Sequence, residues 1–446
     1  MPPITFFEHQ KRTYADLRWR PDDPAVRQLD QLNQACGVEL IHLGYDHLRA
    51  TQYVGVIRVG DTTLQVLPKI DFKGNADAQT DSIPHREAIE SATSNLLYLL
   101  SYTQDLQVKE QDVAPLHAQR SDWFELLTRL FATNLHRLMK RGVERAYASV
   151  EETLPVMRGR WLLDRQLMRR PGVKHVFDVV YDEFSADTPL NQVFKFVVEC
   201  LLLCTQDANN RRLLRDIREW LAEVQNPGSV SQAHLDRVNF TRLNERFQSA
   251  FNLARLFVEN STLQLSAGQH QTFAFVFDMN RLFEEFVYRF LARYRRRILP
   301  PGWHDVRIRE QSEGKVVYLA ERLPNRGEAF RLVPDILFTN PSGKAALVID
   351  TKYKRLDRGQ YNSGISEEDV YQMLAYAARF ECPQTLLLYP QWAESPVTPV
   401  AFETLGRRNH LVAAVINLHQ PLSRPDHLIR DLRKILEEVP RYGSIT

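Results

Sequence analysis

One stretch, RLVPDILFTNPSGKAALVIDTKYK at residues 331–354, limits the fold of this chain more than any other. Two runs of β-forming residues flank Pro341-Ser342-Gly343, so 331–338 and 345–352 are predicted to pair as a hairpin. The second run is apolar from Ala346 to Ile349 and then closes on Asp350-Thr351-Lys352. Strand side chains alternate between faces, which puts Asp350 and Lys352 on one side and turns Thr351 away. Asp335 follows Pro334 inside the first run. A carboxylate and an ammonium beside so apolar a strand need partners. Two carboxylates from adjacent strands, with substrate phosphate and water, suit a hard divalent cation such as Mg²⁺, with Mn²⁺ left open. Lys352 then stands where it can orient or help deprotonate an attacking water and offset charge in a phosphorane-like transition state. A buried Asp–Lys ion pair at a strand end is the plain alternative, and the Pro-Asp across the hairpin weighs against it.

Helices on either side of the hairpin add candidates. At residues 279–291, Met279, Leu282, Phe283, Phe286, Val287, Phe290 and Leu291 form one apolar stripe at helical spacing. Glu284 falls on the edge of that stripe and looks into the domain, as a third metal ligand or a carboxylate behind the ligands; a boundary salt bridge is its alternative. Glu285 lies on the polar side between Arg281 and Arg289. After the hairpin, Ser366-Glu367-Glu368-Asp369 reads as a capped helix start. Val370, Met373, Leu374, Ala377 and Phe380 form the buried stripe of that helix, with Gln372 and Tyr376 on an adjacent face, within reach of a nucleotide or of Lys352.

The chain has 446 residues, too many for one ordinary core. A multidomain α+β organisation is expected: a β-rich N-terminal domain at 1–95, a mainly helical middle region at 96–265, and a C-terminal α/β domain at 266–446. The first contains the hairpin around Gly60-Asp61, followed by the polar stretch DFKGNADAQTDSIPHRE, read as a loop or linker. The middle region also holds LPVMRGRWLLDRQL and YDEFSADTPLN, the latter read as a loop. Cys200 and Cys204 share a helical face, but in an apolar setting where core packing is the expected use. No signal-peptide pattern or membrane-length apolar run is visible, so a cytoplasmic location and no membrane contact are expected. A net charge of +2 does not mark a polyanion binder, although Arg289, Arg293, Arg295, Arg296 and Arg297 cluster, as do Arg165, Arg169 and Arg170 near Lys140 and Arg141. No phosphate-binding loop is present, so the chain itself is expected to bind no nucleotide.

Glu284, Pro334-Asp335, Asp350-Thr351-Lys352 and Gln372-x3-Tyr376 together resemble the PD-(D/E)xK nuclease superfamily, in the version of its RecB-like branch. Within it, GVIRVGDTTLQVLPKI, NLLYLLSYT, Arg158-Gly159-Arg160, YDEFSADTPLNQVFK, DMNRLFEEFV and DVYQMLAYA resemble the McrC family over most of the chain. That resemblance implies a restriction-endonuclease-like fold at 266–446 and Mg²⁺-dependent cleavage of double-stranded DNA. Asp335, Asp350, Lys352, Glu284, Gln372 and Tyr376 would form the catalytic set, with Asp335, Asp350 and Glu284 on the metal. It also implies an McrB-like AAA+ GTPase ring as partner, docked by residues 1–95, which reads modified cytosine, drives DNA movement and has its GTP hydrolysis stimulated. A non-catalytic activator of that GTPase and a stand-alone RecB-like repair nuclease are the alternatives.

Overall fold

The structure, a computed structural model, describes residues 3–69, 86–103, 123–169, 175–265, 271–303, 305–310, 317–354, 356, 364–382, 384–391, 399–403, 409–420 and 422–439. Arg170 and most of the polar stretch at 71–87 lie outside them. The chain divides into two compact units: Met1–Asp122 with Thr262–Thr446, and Trp123–Ser261. Three consecutive segments were expected instead. The difference arises because a strand near residue 275 completes a sheet begun near residue 4.

That sheet has five strands. β1 (Ile4–Phe7) runs parallel to β6 (Thr62–Leu67), which pairs antiparallel with β5 (Tyr53–Val59). Gly60, at φ +54, makes the tight β5–β6 turn expected at Gly60-Asp61. Between β1 and β5 lie β2 (Lys11–Thr13), α1 (Pro24–Cys36), β3 (Ile41–Leu43) and β4 (His47–Ala50), the three strands forming a separate small sheet. Helix α1 starts where Asp23 accepts a hydrogen bond from Ala25 N–H and Pro24 fills the first turn, and it ends at Gly37 in the left-handed region. Its Val26, Leu29 and Leu32 pack with Ile57, Leu64 and Val66. Helix α2 (Arg86–Thr103) follows.

The second unit contains α3 (Trp123–Met139), β7 (Ala146–Leu154), β8 (Arg160–Trp161), α4 (Leu163–Arg169), β9 (Phe177–Ser185), α5 (Pro189–Cys204), α6 (Ala208–Trp220), α7 (Gln232–Asp236) and α8 (Gln248–Asn260). It is mainly helical, but β7, β9 and β8 form a three-stranded antiparallel sheet in that order. Residues 181–185, read as loop, are the end of β9. Cys204 is buried, and burial pushes the Cys200 thiol up to about 11, so Cys200 stays protonated at neutral pH.

In the first unit the chain resumes with β10 (Ser261–Leu265) and β11 (Gln271–Asp278), and β11 pairs with β5 along its whole length. α9 (Met279–Ile298) starts at once, with Asp278 as its cap. A six-stranded sheet then forms from β12 (Arg307–Glu310), β15 (Ile336–Thr339), β16 (Ala345–Thr351), β17 (Gln384–Pro390), β19 (His410–Ile416) and β18 (Val400–Glu403), in that order. β15–β16 is the antiparallel hairpin read from the sequence, while β16, β17 and β19 are mutually parallel. α10 (Glu367–Arg379) is the crossover from β16 to β17, and α11 (Asp426–Glu438) packs on α9 and β19.

Strands β16, β17 and β19 are buried on both faces, which is why they read as unbroken apolar runs. One face, with Val348, Leu387, Tyr389, Leu411, Ala413 and Val415, packs on Met373 and Tyr376 of α10. The predicted strand at 331–338 is in fact split. β14 (Gly327–Leu332) pairs with β13 (Val317–Arg322) in a sheet of their own, and β15 begins only after Asp335. Pro334, lacking an N–H, sits at the break. No helix among the described residues is long and apolar enough to cross a membrane.

Candidate active site

Asp350 is the sixth residue of β16 and shares the parity of Val348, so it faces α10. It is 1% exposed. Lys352 projects the same way from just beyond the strand end, and its Nζ lies 2.6 Å from Asp350 Oδ2. Gln372, in the second turn of α10, receives a hydrogen bond from Lys352 Nζ at 2.9 Å. Its own amide N–H donates to Tyr376 Oη at 2.8 Å and reaches Asp350 Oδ1 at 3.4 Å. Tyr376 in turn donates to Val333 O at 2.8 Å, two residues before Asp335. Four of the six residues singled out from the sequence therefore form one continuous polar chain, which ends on the backbone that presents the fifth.

Asp335, 9% exposed, lies at the start of β15 opposite the end of β16. Its Oδ2 accepts from both the backbone N–H and the hydroxyl of Thr351, each at 2.7 Å. Thr351 was expected to turn away. Asp335 precedes the first paired residue of β15, so it is free of the sheet's alternation and turns onto Thr351. Tyr376, placed by spacing on a face adjacent to the buried stripe, is itself buried in the core around Val348 and Leu387.

Electrostatics tie Glu284 to this group. Glu284 is partly buried on α9, and its carboxyl is pushed up to about 7, first by burial and then by Asp335, Asp350 and Glu310. Asp350 also rises to about 7, through burial and then the charge of Asp335, with Lys352 opposing. Burial raises Asp335 too, against the two Thr351 hydrogen bonds and Lys352. For Lys352, burial acts to lower its pKa, but Asp350 and Asp335 outweigh it and the ammonium is held above its ordinary value. Three mutually repelling, partly desolvated carboxylates beside one cation make a pocket short of positive charge.

Among the described residues, no three His, Cys, Asp or Glu side chains are gathered into a ready-made metal cage. Mg²⁺ does not need one, because it usually takes one or two carboxylates and keeps its remaining sites for water and phosphate. Asp350 Oδ2 is buried against the Lys352 ammonium at 2.6 Å, with the carboxylates of Asp335 and Glu284 acting on it as well. Three carboxyls raised by burial and by one another face a single ammonium, so the donor set present fits a further cation.

Two neighbouring groups escaped the sequence reading. Asp369 pairs with Lys354 and accepts from Tyr389 Oη at 3.2 Å, and its charge bears on both Asp350 and Lys352. Asp369 was read only as an acid in the first turn of a helix, a role that masks any other. The Tyr353 hydroxyl donates to Glu8 at 2.7 Å, a contact across 345 positions for which the sequence holds no signal.

Comparison with known proteins places the chain in a family. A search of curated proteins finds no match. In a solved half-complex from a tetradecameric assembly of Thermococcus gammatolerans McrB AAA+ hexamers with bound McrC, one chain superposes with a TM-score of 0.67. The match covers 98% of this chain and 100% of that one at 22% identity, which establishes a shared fold. A chain from the cryo-EM structure of the Thermococcus gammatolerans McrBC complex also matches, at 26% identity and a TM-score of 0.49, over 65% of this chain and 87% of that one. The family model for the McrBC 5-methylcytosine restriction system component matches residues 48–390, a span that includes all six candidate site residues. The chain therefore belongs to the McrBC 5-methylcytosine restriction system component family.

Proposed function

We propose that this chain is the nuclease subunit of an McrBC-type restriction complex, hydrolysing phosphodiester bonds of double-stranded DNA through a PD-(D/E)xK domain in its C-terminal part. The observation that carries the reading is the Asp350–Lys352–Gln372–Tyr376 chain beside Asp335 and Glu284, set at the end of an otherwise apolar sheet. A structural ion pair would be complete with two partners; this one is surrounded by further acids.

Asp335 and Asp350 would hold the cation, Mg²⁺ or Mn²⁺, with Glu284 behind them or on it. When bound, the ion would lower the pKa of water and polarise the scissile phosphate. The protein's own groups divide the remaining work. Lys352, held as an ammonium by its acidic neighbours, has no lone pair with which to take a proton. Its part is to donate hydrogen bonds to the attacking water and to neutralise charge as it builds on phosphate oxygens. Gln372 fixes the ammonium, and Tyr376 fixes Gln372 while anchoring the backbone before Asp335. Thr351 holds one Asp335 oxygen and leaves the other available.

The partner in this reading is an AAA+ GTPase ring of the McrB kind, which reads modified cytosine and delivers DNA. The family to which the chain belongs and the McrC-bearing assembly it resembles support this. The deciding experiment combines the purified chain, such a GTPase, GTP, Mg²⁺ and methylated plasmid. Wild type should linearise the plasmid and stimulate GTP hydrolysis, and Asp350→Ala should stimulate hydrolysis without cutting. Cutting by Asp350→Ala at the wild-type rate would overturn the assignment.

A further inference from the structure

Glu8 is fully buried just past the end of β1, and its carboxyl meets Tyr353 beside the candidate site. Its Oε2 accepts from Lys69 N–H at 3.0 Å and from the Tyr353 hydroxyl at 2.7 Å, while Oε1 is buried without a hydrogen-bond partner. Tyr353 follows Lys352 directly. It is nearly buried, and its ring lies against Phe283, the residue before Glu284, with centroids 5.7 Å apart. Beyond Lys352, whose N–H donates to Leu388 O, β16 no longer pairs with β17, and the chain turns, with Lys354 N–H donating to Lys352 O. The peptide that carries the ammonium thus lies where sheet pairing stops, and the next side chain along it is tied to the N-terminal sheet.

We propose that Glu8 and Tyr353 are a positioning pair that holds the Lys352 segment, and through the Tyr353 ring the Glu284 turn of α9, in register with Asp350. The inference rests on the nuclease reading of the site. Neither residue touches substrate or reacting atoms; each acts through its neighbours. Burying a carboxyl with one idle oxygen is costly, since an unsatisfied buried polar group works against folding. A hydrophobic residue at position 8 would fill the space without that cost, so the acceptor itself is what the site uses. The five-stranded sheet also reaches the site by a second route, because β11 runs through Asp278 directly into α9. Two links from one sheet therefore end on the two segments that carry Lys352 and Glu284.

Cleavage of methylated plasmid by the complete GTPase-containing complex, under saturating Mg²⁺, tests the pair. Tyr353→Phe removes one oxygen and keeps the ring, and should lower kcat about 10-fold while leaving KM for DNA within about twofold. Glu8→Ala should have the same signature. Glu8→Gln keeps an acceptor for Tyr353 and Lys69 and should restore kcat to within about threefold of wild type. Should Glu8→Ala fail to fold, Tyr353→Phe alone decides. Wild-type kcat in Tyr353→Phe, or a rise in KM with kcat unchanged, would overturn the proposal. Asp350→Ala is measured alongside. If wild type and Asp350→Ala cut equally, the nuclease reading has failed; if only wild type cuts and Tyr353→Phe matches it, the positioning pair alone has failed.

Discussion

The six-stranded sheet around β16 and the three-stranded sheet β7-β9-β8 use similar residues to opposite ends. In the first, apolar side chains dominate both buried faces of β16, β17 and β19, and the charged pair Asp350 and Lys352 sits where β16 runs out. In the second, β7 is exposed along nearly its whole length, and Tyr147, Met157 and Phe184 face solvent together with Met168 of α4, which is 86% exposed. Arg158 stacks over Tyr181, and Gly159, at φ +71, approaches the Val180 carbonyl so closely that a Cβ would not fit. One sheet is closed on both faces and holds largely buried charge at its tip. The other is stiffly built yet leaves apolar area uncovered, the mark of a surface that meets something else. The proposed chemistry belongs to the first sheet.

The largest expected effect lies at the tip of the closed sheet. Asp350→Ala or Lys352→Ala should reduce DNA cleavage on the order of 10³-fold in a plasmid assay with GTP and Mg²⁺, leaving GTPase stimulation intact. A loss of both activities together would break the separation between the two sheets. Next come the residues that hold the ammonium. Gln372→Ala and Tyr376→Phe should each cost about 10- to 100-fold in kcat, measured in single-turnover cleavage.

A contrast in stability sharpens the comparison further. Leu387→Ala, inside the closed sheet, should lower unfolding free energy by about 2–5 kcal/mol in urea titration. Met168→Ala or Phe184→Ala should stay within about 0.5 kcal/mol of wild type in the same titration. Equal costs at both sheets would mean that the second is covered within the chain itself.

A further expected effect concerns pH. Asp350 and Glu284 ionise near 7 and Glu8 near 8 in the folded chain, against ordinary values of 3.8 and 4.5. The folded state therefore binds more protons than the unfolded state across that interval, and its stability falls as pH rises from about 4 to about 8. Melting temperature without metal should decline over this range, and saturating Mg²⁺ should raise it more at pH 8 than at pH 5. A flat profile without metal would show that these carboxyls are well solvated.

What could be read from the sequence follows from how local each feature is. The β15–β16 hairpin, the capped α10 and the shared side of Asp350 and Lys352 all arise from spacings within a few residues. The Thr351–Asp335 contact was not readable, because alternation governs paired residues and Asp335, just outside the ladder, is free to turn. The β7-β9-β8 sheet was missed because solvent covers β7 on both sides and erases the alternation that marks a half-buried strand. Its partner β9 carries Asp182, Glu183 and Ser185, which read as loop. Glu8 with Tyr353, and β5 with β11, are meetings of distant segments, and no periodicity encodes them.

The pairing of β5 with β11 also bears on how the chain is made. During synthesis β5 emerges early, yet the edge it offers stays open until β11 has been translated, with all of Trp123–Ser261 in between. The inserted unit is complete at the ribosome before the sheet that flanks it in sequence can close. Ribosome stalling or truncation before residue 271 would thus release a chain whose middle is folded and whose beginning still lacks a neighbour, an aggregation hazard.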